Sequence, residues 1–232
     1  MKKTIISSLA VVASVIVISG CGGGGDSGPV VAATTSFPLQ VGYKARISSG
    51  ATDNYSISGT CSGTATVTSA AAVVSTFQSV AGYSATTTTI FNFTNCTPAS
   101  VAITGAGYYD VNYSPIGSAI DKLEFTKFAA LPQAIPASVK VGDTAAYGTL
   151  NTYTDSTMTT ATGQRIISYV IEADGANTAV ANLITKGYNA TGQLLFTQQS
   201  RYRMAADGTL TAVSIDVQYS TTNTNHIIYT KQ

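Results

Sequence analysis

Charge is what this chain most lacks. Lys and Arg number 12 and Asp and Glu 11, so charged residues are 10% of 232, against roughly 25% in an average soluble protein. Without a basic excess, nothing displaces counterions from phosphates, and a nucleic-acid binder is excluded. The same scarcity excludes a charged disordered tail or a coiled coil. Tryptophan is absent, and His226 is the only histidine. Three cysteines, Cys21, Cys61 and Cys96, show no C-x-x-C spacing, which excludes a thioredoxin-like redox site. His226 lies far from all three, so no metal site is expected. Gly-x-Ser-x-Gly and the two phosphate-cradling glycine motifs are also missing. No cofactor is expected.

Hydroxyl groups stand where charge does not. The sequence has 35 Thr and 24 Ser, about a quarter of the chain. Threonine is β-branched and packs well on a pleated surface, so the composition points to strands.

The amino terminus reads as an address. Lys2 and Lys3 precede an apolar run from Ile5 to Ile18. As a helix, those 14 residues would span about 21 Å, short of the ~30 Å hydrocarbon core, so a cleaved leader fits better than a membrane span. The run ends in Ile18-Ser19-Gly20-Cys21, which resembles the lipobox of bacterial lipoproteins. That resemblance implies a signal peptide over 1–20, lipid on the Cys21 thiol, acylation of the new α-amino group, and a membrane partner reached through that lipid. Gly22 follows the cysteine where Asp would tend to retain a lipoprotein at the inner membrane, so the resemblance implies an envelope protein of the outer membrane. Residues 21–36, with four consecutive glycines, form a flexible tether, because glycine loses the most backbone freedom on ordering. Its reach is about 20–25 Å.

Removing Cys21 leaves Cys61 and Cys96, an even pair in an exported chain, which predicts a disulfide. Closing a 35-residue loop, it would contribute about 3 kcal/mol or more.

The expected fold is all-β with antiparallel sheets. Residues 37–130 form a first β region, with strands at Val41–Ser48, Asn54–Ser58, Thr64–Thr68, Thr87–Phe93, Val101–Thr104 and Tyr108–Tyr113. Ala70–Ser79 is the one candidate helix, and reads equally as a strand. Residues 131–138, Leu-Pro-Gln-Ala-Ile-Pro-Ala-Ser, read as a linker. From 139 to 232 the pattern is a β-meander: Arg165–Ile171, Val180–Tyr188, Leu194–Met204, Leu210–Tyr219 and Ile227–Thr230, with Asp-Gly turns at 174–175 and 207–208. Alternation puts Val213, Ile215, Val217 and Tyr219 on one face, and Phe196, Tyr202 and Met204 on another, opposite Arg201 and Arg203. Either a sandwich or a half-barrel satisfies this pattern.

Chemistry is sparse. Asp121 and Glu124 could pair as acid and base, but Lys122 and Lys127 beside them read as surface ion pairing. His226 opens the last strand without an acid or nucleophile near it in sequence, so no catalytic residue is assigned and no enzyme is expected. Two features suit binding: the tyrosines Tyr108 and Tyr109, and Arg201 with Arg203, whose guanidinium groups share a face and could grip an anion or pair across the sheet. Two functions fit. One is an envelope-anchored, non-enzymatic module that binds or scaffolds a protein, glycan or lipid. The other is a carrier holding a hydrophobic ligand in a curled sheet.

Overall fold

The computed structural model describes residues 3–4, 35–120, 123–220 and 225–232. Cys21 and nearly all of the leader and tether lie outside these, as do Asp121 and Lys122.

The described residues are nearly all strand. In chain order the elements are β1 (Lys3–Thr4), α1 (Leu39–Ser49), β2 (Ala51–Gly59), β3 (Gly63–Ser69), β4 (Val73–Phe77), β5 (Val80–Phe93), β6 (Cys96–Thr97), β7 (Ser100–Asp110), β8 (Pro115–Ile120), β9 (Glu124–Phe128), β10 (Thr144–Tyr153), β11 (Gly163–Gly175), β12 (Thr178–Asn189), β13 (Leu194–Ala205), β14 (Leu210–Tyr219) and β15 (His226–Lys231). β1 and β6 form a small parallel pair. All other strands join one antiparallel sheet, and the strands on both sides of residues 131–138 belong to it. The all-β antiparallel expectation holds, and β11 to β15 are the expected meander.

That sheet closes on itself, which neither a sandwich nor a half-barrel does. β5 is long enough to serve two partners along one edge: Val80–Ser84 pair with β4, and Thr87–Phe93 pair with β3. Its other edge pairs with β7. The β3–β5 pairing completes a ring of 12 strands, with β4 as a flap beside the seam. Closure leaves β4 as the one strand of this sheet with an open edge among the described residues, where an open sheet would expose two.

The hydroxyl-rich composition is resolved by alternation. Thr52, Thr68, Thr88 and Thr104 form one outward row across β2, β3, β5 and β7, with hydroxyl bonds of 3.4 Å between Thr52 and Thr68 and 3.0 Å between Thr88 and Thr104. Inward stand Tyr55, Ile57, Phe91, Phe93, Ile171, Tyr202, Met204, Val217, Ile227 and Tyr229, all buried. Phe91 and Tyr229 lie 6.1 Å apart between ring centroids. The outside is wet and rich in hydroxyls; the core is largely apolar and aromatic.

Twelve strands make a wide ring. With strands ~4.8 Å apart and tilted about 40°, a circular barrel would be roughly 24 Å across, wider than the eight-strand case that side chains just fill. The helix α1 occupies part of that space, which corrects the expected strand at Val41–Ser48. Leu39, Tyr43 and Ile47 recur every fourth residue and are buried together with Gly42, a helical spacing. Gly50, at φ 69°, ends the helix. Gly42 is fixed by close approach: an added Cβ would stand 1.8 Å from the Gly208 carbonyl oxygen in the β13–β14 turn. Arg46 pairs with Asp53 and lies over the Tyr202 ring, 4.8 Å from its centroid. At Ala70–Ser79, the strand alternative holds, as β4.

Strand directions put α1 at the barrel end shared by the β13–β14 turn, the start of β8 and the end of β9. Phe37 bridges Val139 there, and the Gln40 amide donates to the Pro136 carbonyl. At the other end the expected Cys61–Cys96 disulfide joins the β2–β3 turn to β6 and is buried. Among the described residues, no helix is long and apolar enough to cross a membrane.

A candidate ligand cavity inside the barrel

A cavity remains between α1 and one side of the wall. Its volume is about 60 Å³, below the ~300–1,000 Å³ of drug-sized ligand sites, so only a slender group fits. Leu39 and Tyr43 of α1 form the roof, and β8 to β12 form the wall.

The lining is graded. Pro115, Phe128, Ile135 and Pro136 are half-buried and lie at the α1 end, so the cavity opens there. Ile167 and Tyr169 are buried lining from β11. A polar cluster interrupts the apolar surface. The Ser118 and Thr126 hydroxyls bond each other at 2.8 Å across β8 and β9. Arg165, on β11, reaches Glu124 of β9 at 2.6 Å from Nη2 to Oε1. Its guanidinium carbon also lies 5.6 Å from the Phe196 ring centroid. Burial pushes the Glu124 carboxyl above its ordinary range, and the Arg165 charge opposes that shift. Thr185, on β12, pairs with Ile167 and points inward at 2% exposure; its hydroxyl has no partner. The Tyr43, Tyr109 and Tyr202 phenols are pushed up by burial, so they act as neutral packing groups.

The residues singled out in the sequence for binding lie elsewhere. Tyr109 is buried inside the ring, whereas Tyr108 lies on the outer face, stacked on Phe77 with ring centroids 4.3 Å apart. Alternation separates them. Arg201 and Arg203 share the outer face, as expected, and pair with acids two strands away: Arg201 with Glu172 at 2.6 Å, and Arg203 with Asp174 at 2.7 Å. Asn182 also donates to Glu172. Glu124 corrects the reading of a surface ion pair with Lys127. It faces Arg165 in the interior, while Lys127 is on the opposite face, donating to the Met158 carbonyl at 3.3 Å. His226 does find an acid, since its Nε2 lies 2.8 Å from Asp216 Oδ1 on the exposed side of β14 and β15. Among the described residues, no three His, Cys, Asp or Glu side chains are grouped to hold a metal ion.

The cavity residues went unnoticed in sequence, though one signal was present. Arg165, Ile167, Tyr169 and Ile171 alternate onto one face, so a guanidinium shares the side of three large apolar groups. Thr185 carries no such mark, being one threonine among 35. No protein-family model, curated protein or solved structure matches the chain.

Proposed function

We propose that this chain is a lipid-anchored envelope protein whose barrel binds a small apolar ligand and catalyses no reaction. The observation that carries the reading is the apolar cavity inside a closed barrel. A scaffold needs only its outer surface, whereas an apolar hollow forfeits packing contacts unless something fills it. The anchor reading rests on the lipobox-like Ile18-Ser19-Gly20-Cys21, and Gly22 favours the outer membrane.

The position of the tether supports the same reading. The first buried residue after it, Phe37, sits at the barrel end where the cavity opens. A tether of about 20–25 Å from acylated Cys21 would hold that mouth close to the bilayer. The ligand would then be drawn from the membrane or returned to it.

The test uses the full-length chain in cells fed an alkyne fatty acid. Wild type should take up label and Cys21→Ser should not. Native mass spectrometry of the detergent-released protein should find a bound species of small, organic-extractable mass. Equal labelling of both chains would refute the anchor, and a ligand-free barrel that also fails to bind a hydrophobic fluorophore would refute the binding site.

A further inference from the structure

The polar cluster in the cavity selects among apolar ligands. Thr185 is buried against the space with its hydroxyl unpartnered. Valine has nearly the same shape and would line a purely hydrocarbon pocket without stranding a donor and acceptor. The Ser118 and Thr126 hydroxyls, by contrast, bond each other, and the Tyr147 phenol is a second buried hydroxyl of the lining without a partner. Thr185 therefore offers a hydrogen bond that its own fold does not use.

Charge decides what kind of group takes that bond. Among the described residues Arg165 is the one cation in the lining, and Glu124 already faces it at 2.6 Å. The pair is formally neutral. An incoming carboxylate or phosphate would meet the Glu124 charge along with that of Arg165, with no second cation to hold it. Arg165 and Thr185 stand on the inner face of adjacent strands, since Ile167 is opposite Thr185 and two residues from Arg165. An anion on Thr185 would thus be desolvated beside a charge pair that is already complete.

We propose that the cavity is built for a neutral amphiphile: an aliphatic body against Ile167, Leu183 and Phe128, with one uncharged hydroxyl or carbonyl bonded to Thr185. This rests on the reading of the cavity as a binding site. It excludes free fatty-acid anions and phosphate headgroups from the Thr185 position.

Displacement of 1-N-phenylnaphthylamine from the full-length protein tests it, with 1-octanol, octanoate and 1-chlorooctane as competitors of equal chain length. The wild type should bind 1-octanol about tenfold more tightly than either of the others, the scale of one buried hydrogen bond. Thr185→Val should erase the preference for the alcohol over the chloride while leaving chloride binding unchanged. Thr185→Ser, which keeps the hydroxyl, should retain it. Octanoate binding as well as octanol, or a preference that survives Thr185→Val, would overturn the inference. Failure of all three competitors and of the fluorophore would instead overturn the binding site itself. The wild-type comparison stands even if a variant misfolds.

Discussion

The Arg165–Glu124 pair should be destabilising to break and nearly dispensable when both partners are removed. At 2.6 Å and an effective dielectric of 20, the attraction amounts to ~6 kcal/mol. Removing two ions from water takes back a comparable amount, so the net contribution is small. Arg165→Met leaves Glu124 buried and unpaired, and Glu124→Leu does the same to Arg165. Each should cost about 3–5 kcal/mol. The double variant strands no charge and should unfold within about 1–2 kcal/mol of wild type. Urea unfolding monitored by tyrosine fluorescence and by circular dichroism gives all four corners of the cycle. The pH dependence supplies a second check. Burial already raises the Glu124 carboxyl, and loss of Arg165 removes the charge that opposes the shift. A carboxyl raised in the folded state binds its proton more tightly there than when unfolded. Arg165→Met should therefore be most stable below the unfolded Glu value near 4.5, and lose stability as pH climbs through the higher folded value. Single variants costing under 1 kcal/mol, or losses that add in the double, would refute the account of a desolvated, coupled pair.

Gly42→Ala should lose about 2–3 kcal/mol in urea unfolding, because its Cβ would stand 1.8 Å from the Gly208 carbonyl oxygen, a backbone atom; helix propensity alone predicts a gain of about 1 kcal/mol, so a stabilised variant would show that α1 does not press on that turn. The Asp174 carboxyl is held below its ordinary range chiefly by its hydrogen bond from Arg203, with help from Thr178. Its stabilising contribution is present above the unfolded Asp value near 4 and lost as pH falls through the folded one, so thermal melts from pH 7 to 2.5 should converge for wild type and Asp174→Asn at the acid end.

Strands were legible because alternation survives in a wet-outside, dry-inside wall. Tyr202 and Met204 inward with Arg201 and Arg203 outward needed nothing but period two. Ring closure was not legible, since it depends on β5 sharing one edge between β3 and β4, a long-range pairing that leaves no local mark. The α1 error has a specific cause. The β-branched and glycine content of Val41-Gly42-Tyr43 suggests a strand, but Leu39, Tyr43 and Ile47 at intervals of four outweigh propensity once a wide barrel offers an apolar cavity to fill. Val213 sits where the alternation slips. The pairing shifts between Arg201/Ser214 and Tyr202/Ala212, so Val213 is the extra residue of a bulge that period-two reading does not foresee. The cavity's Arg165 could have been suspected from its apolar companions. Glu124 could not, because its partner lies 41 residues on and its nearest charged neighbours, Lys122 and Lys127, offered a simpler reading.

The cavity follows from the way the ring is filled. α1 is anchored off-centre: Gly42 sits against the β13–β14 turn, and Arg46 is drawn to Asp53 of β2 and the face of Tyr202 of β13. Around the ring, β8 and β9 lie five strands from β13 and β14, almost the opposite side of twelve. One helix cannot fill a bore of roughly 24 Å, so the unfilled space falls against β8 to β12. That wall includes two of the ring's shortest strands, β8 of six residues and β9 of five, against 14 in β5. The connection carrying Ile135 and Pro136 crosses there and supplies part of the mouth. The seating of α1 on one side thus decides where the hollow lies, the short strands decide where it opens, and the glycine that permits the seating sets the room left unfilled.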